Sequence, residues 1–261
     1  MHSVRPPAVA GMFYPADPRQ LRAAVQEYLA AATAAGPVPK AMVVPHAGYV
    51  YSGPVAASAY ALLRPAREKV RRAVLLGPAH RAPLCGMALP RATAFATPLG
   101  AVPVDGEAAA LLADFPQVQA SDAAHAQEHS LEVQLPFLQE VLADFAIVPL
   151  VVGDATAAQV EEVLEALWGG EETVVLVSSD LSHYHDYETA RRLDQAASRA
   201  IEQLDETDLA DRQACGCLPI RGLLRAARRH QLAGRTVDLR NSGDTAGPRD
   251  QVVGYGAYAF A

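Results

Sequence analysis

The chain has 261 residues, 51% of them hydrophobic and 20% charged, with a formal net charge of −7. That length is within reach of one α/β domain, because single cores stop growing near ~250 to 300 residues, and the composition suits a packed globule rather than a disordered chain. A pI near 5.6 and a mean hydropathy of +0.06 argue against a nucleic-acid partner, which calls for a basic face. No apolar run approaches the ~20 residues that span a bilayer, and the opening "MHSVRPPAVAGMFYPADP" lacks the continuous apolar core of a signal peptide. The expected location is therefore cytoplasmic, with no membrane partner.

In chain order, Leu21, Val25 and Leu29 fall at helical spacing and lead into the Ala-rich "LAAATAAG", which reads as a helix end stopped at Gly36 and Pro37. Short apolar runs at 41 to 44, 73 to 76 and 85 to 89 predict strands. Leu131, Leu135, Leu138 and Leu142 predict a helix in which Pro136 is either a kink or the true first turn. Strands follow at 145 to 152 and 173 to 177. A helix carrying Leu193, Ala197, Ile201 and Leu204 comes next, then a solvated helix end with Arg225, Arg228 and Arg229, and a closing strand at 252 to 260. Continuously apolar strands alternating with amphipathic helices predict a single α/β domain over residues 1–261, its largely parallel or mixed sheet covered by helices on both faces. The few aromatics and abundant Ala predict a core of Leu, Val and Ala. Cys85, Cys215 and Cys217 match neither a C-x-x-C motif nor half of a usual zinc site, and read as reduced thiols.

In an open α/β sheet, ligands bind outside the carboxyl ends of the strands. Three predicted strands deliver histidine there: His46 after the first, His80 after "VLLGP", and the cluster Ser178, Ser179, Asp180, Ser182, His183 and His185 after the run at 173 to 177. Two imidazoles and a carboxylate form the facial triad of non-haem iron(II), and similar sets bind zinc or copper. "HAQEHSLEVQLPF" adds His125, Glu128, His129 and Glu132. Glu128 and Glu132 are one helical turn apart, as are His125 and His129, and the zinc motif H-E-x-x-H is absent. The turn-rich "LRNSGDTAGPRD" offers Asp244 as the third carboxylate or as a turn cap.

Six blocks, "VRPPAVAGMFYPADP", "PHAGYVYSGPVAASAY", "LLGPAH", "QEHSLEVQLPFLQ", "VSSDLSHY" and "DQVVGYGAYAF", come in order along nearly the whole chain. Together they resemble the Memo family, also called AmmeMemoRadiSam system protein B. That family resembles in fold the LigB-like class III extradiol dioxygenases, which hold iron(II) through two histidines and a carboxylate. The resemblance implies metal ligands at His46 and His80 and an acid/base role at His183, with Asp180 nearby. His129 joins these as a catalytic candidate, and Tyr51, Ser179 and Glu128 are the expected substrate contacts. In animal Memo proteins the third ligand is a cysteine in a C-terminal turn. The motif alignment puts Thr245 there, so Asp244 is expected to complete the set. The family name further implies Ammecr-domain and radical SAM partners beside a small-molecule or peptide ligand.

The expected activity is that of a metal-dependent, dioxygenase-like oxidoreductase, with iron(II) first and zinc or copper as alternatives. Two other readings stand beside it: a binding or adaptor protein that keeps the pocket without the metal chemistry, and a hydrolase using Ser179 or Ser182 with His183 and Asp180.

Overall fold

The computed structural model describes residues 3–33, 35–210 and 213–261. Along the chain come β1 (Val4–Arg5), α1 (Pro18–Ala31), β2 (Ala41–Val44), α2 (Tyr49–Tyr60), β3 (Arg72–Pro78), β4 (Met87–Leu89), β5 (Ala94–Thr97) and β6 (Gly100–Pro103). There follow α3 (Gly106–Leu111), β7 (Val118–Ala120), α4 (Asp122–Ala126), α5 (Leu135–Val141), β8 (Ala146–Val152), α6 (Ala157–Leu167) and β9 (Thr173–Ser178). The last are β10 (His183–His185), α7 (Tyr187–Glu202), α8 (Cys217–Arg229), β11 (Gly234–Asn241) and β12 (Val252–Phe260).

The main sheet runs β10-β12-β2-β9-β3-β8-β4-β7, with β11 paired to β12. Its centre, β2-β9-β3-β8, is parallel, and β12 and β4 join it antiparallel. The sheet is thus mixed, with the expected parallel core. A separate three-stranded sheet, β1-β5-β6, carries the N-terminal segment.

Alternation along buried strands sends side chains to opposite faces. Met42 and Val44 pack with α1, α2 and α5, whereas Ala41 and Val43 pack with α6, α7 and α8. Both faces are therefore covered. The core holds more than Leu, Val and Ala, since Tyr60, Tyr255 and Tyr258 are among its largest fully buried side chains.

Several boundaries correct the sequence reading. Helix α1 stops at Ala31, before Gly36, and its N-cap is Asp17, whose carboxylate accepts from the amides of Arg19 and Gln20. Pro136 opens α5 in its first turn behind a 3-10 turn at Glu132–Gln134, where its missing N–H costs no hydrogen bond. The arginines at the end of α8 are not merely solvated. Arg225 pairs with Glu161 at 2.5 Å and Glu206 at 2.8 Å, tying α8 to α6 and to the segment after α7.

Candidate functional site

Strands β2 and β9 are parallel neighbours with Val44 opposite Ser178, so the residues just past each strand meet. Buried Asp180 accepts the His46 amide at 2.8 Å and pins the turn after β2. The His46 ring places Nδ1 2.9 Å from Ser178 Oγ and Nε2 3.3 Å from Cys215 Sγ. His80 leaves the neighbouring strand β3. Glu128 holds it twice, through the backbone amide at 2.7 Å and ring Nδ1 at 2.9 Å. The three rings of His46, His80 and His129 enclose one space, with centroids 5.2, 5.4 and 4.8 Å apart. Phe13 covers His129 at 4.8 Å.

Cys215 reaches this space because α8 begins against the backbone after β9. A Cβ on Gly216 would lie 2.7 Å from Ser179 Cβ and 2.9 Å from Ser178 O, so the contact demands glycine. The Ser179 hydroxyl accepts the Gly216 amide at 2.9 Å and donates to Asp180 O at 2.8 Å. One donor atom from each of His46, His80 and Cys215 falls within 4.8 Å of the others, and His80, Glu128 and His129 make a second such group. A cavity of about 790 Å³ reaches Cys215 from the side of Pro78, Leu84, Val152 and Pro219.

Burial, with repulsion from His80 and His129, lowers the His46 pKa well below the usual imidazole range. Burial likewise lowers His129 to about 4 and lowers His183. Burial raises Glu128, but the hydrogen bonds from His80 and Ser130 and the charge of His80 outweigh it and hold the carboxyl at about 2. Burial pushes Asp180 up to about 7. Burial and the neighbouring Asp180 push the Cys215 thiol up to about 12, so it is a thiol unless a cation displaces its proton. His129 Nδ1 is buried with no hydrogen-bond partner.

The expected residues thus sort into three groups. His46, His80 and His129 line the space, and His183, half-buried on β10, is close enough for its charge to act on His46. Asp180, Ser179 and Glu128 hold site residues in place: Asp180 grips the turn at His46, Ser179 the turn at Gly216, and Glu128 the His80 ring. Tyr51 sits 39% exposed on the first turn of α2. Asp244 is a correction. Its carboxylate caps Asn241 at 3.0 Å and accepts from Tyr187 OH at 2.5 Å, and it belongs to neither donor group among the described residues. The thiol facing His46 is Cys215, which the sequence reading took only as a reduced thiol and did not place at the site. A hydrolase reading loses Ser179, which is fully buried and donates to a backbone carbonyl.

His125 and Glu132 lie outside the cluster. His125 donates to Ala88 O at 2.9 Å in the neutral form that a pKa lowered to about 4 implies. Glu132 accepts from Arg5, Ala8, Val9 and Tyr14.

A mixed α/β sheet with imidazoles and one thiol gathered beyond its parallel strands defines a class of proteins with a donor-rich crevice at the strand ends. The family model for Memo-like proteins matches residues 5–259. MEMO1 family proteins of Aquifex aeolicus (36% identical over 263 residues, covering 97% of both chains) and Ignicoccus hospitalis (39% over 285 residues, covering 98% of both) are similar end to end, as is one from Methanopyrus kandleri (36% over 279 residues, 98% of both). The chain belongs to the Memo family. The crystal structure of an uncharacterized protein from Escherichia coli K12 is similar at TM-score 0.50 and 15% identity, covering 82% of this chain and 98% of that one, a likeness of fold alone.

Proposed function

We propose that the protein is a metal-dependent oxidoreductase whose cation is held by His46, His80 and Cys215. The observation that carries this is the gathering of their donor atoms within 4.8 Å, from three remote segments. The residues fit such an ion chemically. Both ring Nδ1 atoms have hydrogen-bond partners, Ser178 and Glu128, which is how ligating histidines are oriented. A thiol beside two imidazoles suits copper, zinc or iron better than magnesium or calcium. Restoring a sulfur donor also shifts the expectation from a two-histidine, one-carboxylate iron site toward a softer metal. When bound, an iron or copper ion supplies redox chemistry at its open coordination positions.

The chain supplies the rest. His129 and His183, both lowered below the usual imidazole range by burial, are neutral near pH 7, so each keeps one bare ring nitrogen able to accept a hydrogen bond from a bound substrate. The cavity of about 790 Å³ at Cys215 has the size of a small-molecule site. Dioxygenase-like chemistry, and work beside Ammecr-domain and radical SAM proteins, extend this proposal by family resemblance.

The test is elemental mass spectrometry on anaerobically purified protein, comparing the native chain with His46→Ala, Cys215→Ser and Asp244→Ala. The expected result is near-stoichiometric transition metal in the native and Asp244→Ala proteins and loss in the other two. Folded native protein without metal, or full retention in Cys215→Ser, overturns the assignment.

A further inference from the structure

Ser178 Oγ makes three contacts: His46 Nδ1 at 2.9 Å, Gln134 Nε2 at 2.8 Å and the Ser130 carbonyl at 2.6 Å. A hydroxyl has one proton and two lone pairs. The carbonyl can only accept, so the Ser178 proton goes to Ser130 O. Gln134 Nε2 can only donate, and its orientation is fixed on every side: its second proton reaches Pro45 O at 3.0 Å, and its Oε1 accepts from Tyr60 OH at 2.8 Å. One lone pair of Ser178 is left, and it faces His46 Nδ1. That nitrogen therefore carries the proton.

We propose that Gln134, oriented by Tyr60 and acting through Ser178, is a positioning residue that holds His46 as its Nδ1–H tautomer and turns the bare Nε2 toward Cys215. All members are buried; Tyr60, Ser178 and Gln134 each expose 1% or less. Burial shields these bonds from bulk solvent, and every donor in the chain has its acceptor, which makes the chain a directional one. The opposite tautomer would set the bare Nδ1 lone pair against the remaining lone pair of Ser178, a contact that can form only if the Ser178 proton leaves Ser130 O and strands that carbonyl. It would also turn an N–H rather than a lone pair toward Cys215. The consequence for cation binding rests on the metal reading above. The tautomer itself does not.

The experiment is ¹⁵N-resolved NMR of the histidine rings in full-length protein stripped of metal, at neutral pH, with zinc(II) titrated afterwards. In the native protein His46 is expected to show a protonated Nδ1 and a bare Nε2. In Ser178→Ala that single tautomer is expected to give way to a mixture, with zinc affinity falling roughly 10- to 100-fold. Ser178→Thr keeps the hydroxyl and is expected to restore the native signature. A protonated Nε2 in the native protein overturns the proposal whatever the variants do. An unchanged tautomer in folded Ser178→Ala also overturns it, even with a lower melting temperature. Native protein that shows the tautomer but binds no zinc, iron or copper removes the metal reading and leaves the lock standing.

Discussion

Replacing Arg5 by methionine removes the cation from a buried ion pair and keeps most of the side-chain volume. Arg5 Nη1 lies 2.6 Å from Glu132 Oε2, with 5% and 0% of the two side chains exposed. The same guanidinium donates to the carbonyls of His125 at 2.7 Å and Glu128 at 2.6 Å. After the substitution the Glu132 carboxylate keeps the amides of Ala8 and Val9 and the Tyr14 hydroxyl, but it is a buried charge with no counter-ion, and the carbonyls of His125, Glu128 and Pro6 lose a donor. Breaking such a pair from one side costs about 3 to 5 kcal/mol. For a chain of this size that is roughly 6 to 20 °C in Tm. Urea unfolding followed by circular dichroism measures it, with an unchanged m-value as the two-state check. The double variant Arg5→Met/Glu132→Gln, which neutralises the stranded charge, is expected to regain part of the loss. A single variant within about 1 kcal/mol of native, or a double variant worse than the single, refutes the reasoning.

His125 gives a pH-dependent term. Burial lowers its folded pKa to about 4 from the usual ~6.5 of a free imidazole, so the unfolded chain binds more protons between these values and stability rises with pH across that window. The term, roughly 3 kcal/mol, is fully present above pH 6.5 and lost as pH falls to 4; unfolding curves of the native chain and His125→Gln should diverge there and nowhere above it. Gly216→Ala forces a methyl into Ser179 and Ser178 and is expected to cost about 1 to 3 kcal/mol and to weaken any bound metal, read by unfolding and elemental analysis together. Thiol labelling of native, metal-free protein should be fast at exposed Cys85 and slow at Cys215, whose thiol is pushed up to about 12; peptide mapping that finds Cys215 labelled first contradicts the buried-thiol geometry.

The central parallel strands and both helical layers were legible because β2, β3, β8 and β9 are continuously apolar and α1 and α7 keep one apolar stripe. Helix α2 was not, since nearly all its faces are buried and Gly53 and Pro54 interrupt it. The convergence of His46 and His80 followed from the general rule about strand ends. The role of Cys215 did not, because it depends on where α8 starts relative to β9, a long-range contact that no local pattern encodes. Glu128 and Glu132 looked equivalent at helical spacing, yet the chain between them is a turn followed by a 3-10 segment. One carboxylate therefore faces His80 and the other Arg5.

The His46–Cys215 contact spans 169 residues, and that separation has a consequence for synthesis. A ribosome delivers His46 early and the thiol only after more than four fifths of the chain, so this three-donor set does not exist until the last fifth is being made. β12, which pairs with β2, emerges later still. On the proposed metal reading, loading follows the folding of nearly the whole chain, and whatever supplies the ion in the cell meets a molecule with a cavity already leading to the sulfur.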